Sequence, residues 1–321
     1  MDLLIIGYSS VFKNRILPLI NRMSFIDSIS IAKYEGQSWD NDYKVIVKPV
    51  KVYDNYKSAL NEFKSGLAYV STTNHSHYEW AKKCLNKGLH TIIDKPATES
   101  IDETLELIQI AKQKNLLLSE STVYLYHPQM ILLNRILKSE KTSPKLITIQ
   151  FSFPPLDKDN FRYHKELGGG ALMDTGPYAA SIGRFLFNDS PLKCYYIENS
   201  LSEDGVEISY SILLKFKNGG SLIGHFGFTT EYINRLNILT DKICVDMDRV
   251  FTLPETYENI IRIKKNNQNI EISTPSGSMF EYYFQFIEKC LKEVDYEKLY
   301  SDLLLDAQTR DSLNKCKEYG N

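Results

Sequence analysis

The chain lacks the marks of several protein classes. Its 321 residues contain five cysteines, Cys84, Cys194, Cys244, Cys290 and Cys316, with no paired spacing. That excludes a disulfide framework and fits a reducing, cytoplasmic setting. No Cys/His spacing matches a zinc site, and the two histidines of "NHSH" (Asn74 to His77) have no third ligand beside them, so no metal is expected. No uninterrupted apolar run is long enough to span a bilayer. The opening "MDLLIIGYSS" has no basic region ahead of a long apolar stretch, so a signal peptide is not expected. Excess charge of one sign is also missing. The 38 Lys and Arg against 40 Asp and Glu leave a formal net charge of −2, which argues against a general nucleic-acid binder. Clear repeats and low-complexity tracts are absent. What is left is an ordinary globular composition and a length that suits two domains.

The first third alternates two kinds of pattern. "LLIIG" (Leu3 to Gly7), "SISIA" (Ser28 to Ala32), "LAYVST", "HTIID" and "LLLSES" read as buried strands. Between them "NRILPLINRM", "ALNEFKSG", "SHYEWAKKCLNKG" and "SIDETLELIQIAKQKN" have helical spacing. Ser100 with Glu103 three residues on predicts a capping box. Such alternation predicts a parallel sheet flanked by helices, with ligands beyond the carboxyl ends of its strands.

The first of those ends is Gly7-Tyr8-Ser9-Ser10-Val11-Phe12. A dinucleotide fingerprint has further glycines at the third and sixth places, where Ser9 and Phe12 stand here. The physical requirement is looser: a glycine for the turn, a small residue near the pyrophosphate and a free helix start. Ser9 and Ser10 meet it, and a plain strand-to-helix turn is the alternative. After the second strand stands Lys33, with Glu35 two residues on. A basic residue there suits a 2′-phosphate and favours NADP over NAD, and a solvated surface lysine is the alternative. Lys13 and Arg15 are further candidate phosphate partners.

A second stretch, "LGGGALMDTGPYAAS" (Leu167 to Ser181), sets three glycines before an apolar run, an Asp and, four residues later, a Tyr. Each glycine costs a helix interior roughly 1 kcal/mol relative to alanine, so a close backbone approach or a sharp turn is expected. The segment from "STTNHSHYEWAKKCLNKG" through Asp94-Lys95-Pro96 to "GGGALMDTGPY" resembles the glucose–fructose oxidoreductase, inositol dehydrogenase and rhizopine-catabolism family. Asn74, His77 and Asp94-Lys95-Pro96 fill the family's places, with Asp94 for the usual Glu and Tyr178 for the common His. "YHPQ" (Tyr126 to Gln129), "FSFPP" and "NFRYHKELGGGALMD" are similar to the family branch holding ketoreductases of nucleotide-linked deoxysugars. Related dihydrodiol dehydrogenases also carry Tyr at this place.

The resemblance implies an α/β fold: a Rossmann dinucleotide-binding domain over 1–121, then an α+β domain over 122–321 for substrate binding and oligomerisation, with an open, mainly antiparallel sheet. It implies cofactor contacts from Gly7, Ser9, Ser10, Val11, Lys33, Thr72, Asn74, His77, Asp94, Lys95 and Pro96. Lys95, before a cis proline, is expected beside the nicotinamide and the substrate oxygen. Tyr126, His127, Arg162, Tyr163, Asp174 and Tyr178 are the expected substrate contacts, with Lys95, Asp174 and Tyr178 catalytic. Tyr178 is the acid that protonates the developing alkoxide. A free tyrosine has a pKa of about 10, against about 6.5 for histidine, so Tyr178 holds its proton at neutral pH and favours ketone reduction. Asp174 orients the substrate or Lys95, or else caps the helix that holds Tyr178. The glycines are then expected to admit backbone close to cofactor and substrate.

From Lys145 on, the pattern is strand-rich, with hairpin turns expected at Asn218-Gly219-Gly220 and Asp241-Lys242, and two helices closing the chain. The expected protein is an NADP-dependent reductase of a nucleotide-linked keto-sugar, acting as a homo-oligomeric dimer or tetramer. The alternatives are an NAD-dependent sugar dehydrogenase and a nucleotide-binding regulator without catalysis.

Overall fold

A computed structural model describes residues 1–319. The chain groups into two compact units: Met1–Ser121 with Phe284–Leu303, and Thr122–Tyr283 with the residues from Leu304 on. The sequence reading keeps 284–303 with the second domain, whereas here they group with the first.

The first unit holds β1 (Asp2–Ile6), β2 (Ser28–Ala32), β3 (Val50–Tyr53), α1 (Tyr56–Glu62), β4 (Leu67–Val70), α2 (His77–Asn86), β5 (His90–Ile93), α3 (Ile101–Lys114) and β6 (Leu118–Glu120). Its strands run parallel in the order β3-β2-β1-β4-β5-β6, the doubly wound order of a Rossmann sheet. Leu3, Leu4, Ile5 and Ile6 are all fully buried, as a central parallel strand covered on both faces requires. The capping box of α3 is present: Glu103 N donates to Ser100 Oγ at 3.2 Å, and Ser100 N donates to the Glu103 carboxylate at 3.3 Å. The predicted first helix is irregular, a π-helical turn (Phe12–Ile16) followed by a 3-10 turn (Leu17–Arg22). Pro18 supplies the reason, since it has no N–H for the ladder and its ring crowds the carbonyl four residues back. Strand β3 is absent from the sequence reading. It is a short edge strand without a fully buried residue, and it shows no apolar period.

The second unit holds α4 (Pro128–Ser139), β7 (Leu146–Ser152), α5 (Ala171–Phe187), β8 (Lys193–Leu201), β9 (Glu207–Lys215), β10 (Ser221–Gly227), β11 (Ile233–Leu239), β12 (Cys244–Asp248), β13 (Asn259–Lys265) and β14 (Gln268–Thr274). Helices α6 (Met279–Glu293) and α7 (Glu297–Tyr319) follow, and the division between the units falls within both. The eight strands lie in the order β14-β13-β12-β11-β7-β10-β9-β8, antiparallel except for β7 beside β10. Both predicted hairpins form. At the first, Gly219 takes φ +87° and Asn218 Oδ1 accepts from Gly220 N at 3.0 Å. At the second, Thr240 N donates to Ile243 O at 3.0 Å across Asp241-Lys242. Edge strand β8 was not predicted. It is mostly exposed and bulged near Ser200, so no clean alternation marks it.

Helix α5 is anchored on its buried side. Arg184 donates twice to Asp306 of α7, at 2.8 and 3.1 Å, and Ser181 shares a 2.8 Å hydrogen bond with the Tyr124 hydroxyl. No helix among the described residues is long and apolar enough to cross a membrane.

His127 starts α4, where its Nδ1 accepts from Gln129 N at 3.3 Å and Pro128 follows at the first helical position. The ring is fully buried, and burial pushes its pKa down to about 4. The unfolded chain takes up a proton near pH 6.5, whereas the folded chain resists it down to about pH 4. Stability therefore falls as pH drops through that window, by at most about 3 kcal/mol from this residue. Urea denaturation at pH 7 and pH 4.5 is expected to show a smaller acid loss in His127→Asn, which keeps a capping side chain. An equal loss in both proteins would contradict this account.

Candidate active site

In the first unit the carboxyl ends of β1, β4 and β5 carry one polar network. Gly7 takes φ +116°, and a Cβ there would lie 2.1 Å from Ser71 O, so only glycine lets β1 turn this close to β4. Ser9 Oγ lies 2.6 Å from Ser71 Oγ and accepts from Phe12 N at 3.0 Å. Ser71 and Tyr69 both donate short hydrogen bonds to Asp94, and Ser121 Oγ donates a third at 3.0 Å. The carboxylate after β5 is thus fixed by three hydroxyls, and the Lys95–Pro96 bond that follows is cis. Ser71, Tyr69 and Ser121 were not flagged from sequence; small hydroxyl residues at strand ends carry no distinctive spacing.

The remaining expected cofactor residues divide by what they already hold. His77 is buried, with Nδ1 at 2.7 Å from Pro96 O and Nε2 at 3.1 Å from Thr72 O. Both ring nitrogens face backbone carbonyls, so His77 braces the two loops and has no nitrogen to offer a cofactor. The Thr72 hydroxyl accepts from Ser76 Oγ at 2.8 Å, and Asn74 sits half-buried at the start of a 3-10 turn. Ser10 and Val11 are exposed at the turn after Gly7. Lys33 is no solvated surface lysine, because its side chain is 8% exposed. Its ammonium donates to Gln37 O, lies 3.1 Å from Asp54 Oδ1 and sits 5.6 Å above the Trp39 ring. Lys13, another candidate phosphate partner, is held by Asp40 at 2.6 Å.

In the second unit the three glycines have structural duties. Gly168 takes φ +74° where a 3-10 turn ends. A Cβ on Gly169 would lie 2.6 to 2.7 Å from the carbonyl oxygens of Phe161, Arg162 and His164. Gly170, at φ +108°, precedes α5 with no side-chain cap of its own. Its place is taken by Glu207, whose Oε1 accepts from Leu172 N at 3.0 Å while Lys317 pairs with the other oxygen. The close approach that the glycines allow is between parts of the chain itself.

That tight wrap brings Arg162 against Asp174. The guanidinium meets the carboxylate twice, Nε to Oδ2 at 2.8 Å and Nη2 to Oδ1 at 3.0 Å. Asp174 is 9% exposed and lies in the first turns of α5, so it is not the helix cap; Gly170 holds that position. Burial opposes the Arg162 charge, but Asp174 and the Tyr178 phenol together outweigh it and hold its pKa above the ordinary value. Tyr178 follows Asp174 by four residues and so shares its face of α5. Its half-buried ring stands among Phe151 at 5.0 Å, Phe251 at 5.1 Å and Tyr124 at 5.9 Å between centroids.

The other expected substrate contacts are committed inside the unit. The Tyr163 hydroxyl accepts from Leu156 N at 3.1 Å, and its ring packs edge-on against Phe228. Tyr126 packs against Tyr283, and buried His127 caps α4 through Nδ1, while its Nε2 has no hydrogen-bond partner among the described residues. Arg162 is Asp174's partner.

These features define a dinucleotide-binding Rossmann unit joined to a sheet unit that carries an Asp-to-Tyr pair on its main helix. The model of an oxidoreductase family with an NAD-binding Rossmann fold matches residues 1–122, and that of the GFO/IDH/MocA C-terminal domain matches residues 140–244. The chain belongs to this oxidoreductase family. It is similar to dTDP-3,4-didehydro-2,6-dideoxy-alpha-D-glucose 3-reductases. One from Saccharopolyspora spinosa is 30% identical over 69% of this chain and 67% of its own. Another from Actinomadura kijaniata is 26% identical over 86% and 83%. In fold it matches a 3-ketoreductase from Actinomadura kijaniata, solved with NADP and TDP-benzene, with a TM-score of 0.88 at 22% identity over 98% of this chain and 97% of that one.

Gly169→Ala tests the packing around Asp174. The added methyl must push back three backbone carbonyls, and overpacking of this kind costs on the order of 1–3 kcal/mol. Urea denaturation should register that loss. Hydrogen exchange at the Gly170 amide, which donates to Arg162 O at 2.9 Å, should speed up. Unchanged stability and exchange would show that the wrap has room to spare.

Proposed function

We propose that this protein is an NADP-dependent ketoreductase acting on a nucleotide-linked deoxysugar, with Tyr178 as proton donor. The observation that carries the reading is the side chain set on α5. A half-buried tyrosine follows an ion-paired Asp174 by one helical turn, within a chain 30% identical to a dTDP-sugar 3-reductase.

The strand ends of the first unit suit a dinucleotide. Gly7 leaves no side chain at the turn, the Ser10 hydroxyl has no partner among the described residues, and Lys33 stands at the end of β2. When bound, the nicotinamide supplies the hydride that turns the ketone into an alcohol. Everything else falls to the chain. Tyr178 gives its proton to the developing alkoxide. The Lys95 ammonium stabilises the charge on that oxygen before the proton arrives. Arg162 and Asp174 position the phenol, and the Arg162 charge favours the phenolate left behind. Lys33 exchanges Asp54 for the 2′-phosphate, which selects NADP. Asp94, Ser9 and Thr72 hold the strand ends around the cofactor, with His77 as the brace behind Pro96.

The same reading makes the protein a homo-oligomer. On the sheet face of the second unit, Tyr195 opposes Leu213, and Leu213 opposes Ile223. All three are exposed, as is Ile197, and a second sheet laid on this patch removes it from water.

Two measurements test the reading. Turnover of NADPH with a dTDP-linked 3-keto-deoxysugar is expected to fall roughly 100-fold or more in Tyr178→Phe and in Lys95→Ala, the loss typical of a missing proton-transfer or charge-stabilising group. Tyr178→Phe should still bind NADPH normally. Full turnover in both variants would remove the assignment. For the cofactor, Lys33→Ala should weaken NADPH binding about tenfold to 100-fold in a fluorescence titration and leave NADH nearly unaffected. Equal loss for both would show that Lys33 does not read the 2′-phosphate.

A further inference from the structure

Arg249 differs from four other arginines of the second unit. Arg162, Arg184, Arg235 and Arg262 each hold a carboxylate. Arg249 holds none. Among the described residues, no carboxylate, carbonyl or hydroxyl accepts from its guanidinium. Of the acids beside this stretch in sequence, Asp248 pairs with Arg262 at 3.0 Å and Glu231 accepts from Tyr232 N at 2.9 Å. Yet the side chain is held in place. Its guanidinium carbon lies 5.2 Å from the Tyr232 ring and 5.5 Å from the Tyr257 ring, between two phenols that are 38% and 41% exposed. Aromatic faces fix a guanidinium without using its N–H donors, so five donors in a fork remain for a ligand.

The backbone is committed to this arrangement. Arg249 has φ +49°, a region that a bulky side chain rarely enters. Buried Asn234 supports the strained turn. Its carbonyl accepts from Arg249 N at 2.6 Å, and its side chain accepts from Phe251 N at 3.1 Å and donates to Thr252 Oγ1 at 2.9 Å. The same turn that sets Arg249 between the phenols sends Phe251 inward, 5.1 Å from Tyr178. Two residues of extended chain reach at most about 7 Å, so the guanidinium is rooted close to the ring that packs on the proposed acid.

We infer that Arg249, clamped between Tyr232 and Tyr257, is the pyrophosphate anchor for the nucleotide-linked substrate. A fork of unused donors matches phosphate oxygens two at a time. A nucleotide-linked sugar carries its diphosphate next to the ring that is reduced, which suits an anchor rooted beside Tyr178's aromatic neighbours. The inference rests on the reading of the substrate as nucleotide-linked, and it adds the residue that recognises the nucleotide.

The test is calorimetric titration of the full protein, saturated with NADPH, with dTDP and with UDP. Arg249→Asn is the informative variant, because asparagine tolerates a positive φ and leaves the turn intact. It is expected to weaken both diphosphates by roughly tenfold to 100-fold, with Arg249→Lys in between. NADPH affinity, titrated separately, should stay within about twofold, since a shared loss would mean a damaged fold or a cofactor phosphate at this site. Wild-type binding of dTDP with no loss in Arg249→Asn overturns the anchor and leaves the nucleotide-linked reading standing. An equal loss of NADPH affinity also overturns it. If the wild-type protein binds neither diphosphate, the nucleotide-linked reading itself fails, and the anchor with it.

Discussion

The paired contact between Arg162 and Asp174 fixes how the main helix of the second unit meets the loop before it. One hydrogen bond and a second ion-pair contact tie the 161–170 loop to the first turns of α5, the helix that bears Tyr178. A partly buried ion pair is a poor source of stability, because desolvation offsets most of the attraction. Its value is geometric: two planar groups meet in one orientation, and the charge beside Tyr178 is defined. Gly169 exists to make the pair possible, since any side chain there would push the loop away. Glu207 serves the same arrangement from the other side. It caps α5 in place of a residue that must be glycine.

The first unit solves a parallel problem with neutral donors. Asp94 follows a buried strand and is the only member of its network that carries charge. Three hydroxyls, from Tyr69, Ser71 and Ser121, satisfy it. These donors fix the orientation of the carboxylate at the strand end. His77 then braces the Pro96 carbonyl against Thr72, and that segment is held from two directions.

Much of this organisation was legible in the sequence. Central strands such as Leu3 to Ile6 announce themselves by unbroken apolar runs, α3 by its capping box, and the hairpins by Asn-Gly-Gly and Asp-Lys. The edge strands β3 and β8 did not, because a half-wet strand has no need of an apolar period. Pro18 was visible, but its effect on the first helix depends on how the neighbouring turns repair the ladder. The motif residues were harder still. Family spacing singled out Arg162, Tyr163, His127 and His77 along with Tyr178 and Lys95, yet spacing carries no record of what each side chain already holds. Arg162 holds Asp174, Tyr163 a loop amide and His77 two carbonyls, while His127 caps a helix start with one nitrogen and leaves the other without a partner among the described residues. Arg249, the proposed anchor, was not singled out for a different reason. It belongs to no motif, and its phenol neighbours are 17 residues before it and eight after it in the chain.

Hydrogen-bond satisfaction adds to motif membership a record of what each side chain already holds. A buried polar group must be paired, and a side chain that is paired internally gives up that partner at a cost when a ligand arrives. Lys33 faces that cost, because its ammonium already holds Asp54 and a carbonyl. Only an anion stronger than a single exposed carboxylate can repay it, and a 2′-phosphate, with more charge and more oxygens, is such an anion. Arg249 faces none, because aromatic faces restrain it without consuming its donors. The two cations thus differ in kind. In the proposed roles Lys33 discriminates, since weak anions cannot displace what it holds, and Arg249 is preorganised, since nothing has to be displaced. A protein that selects among dinucleotides and also grips a second phosphate-bearing molecule needs one of each.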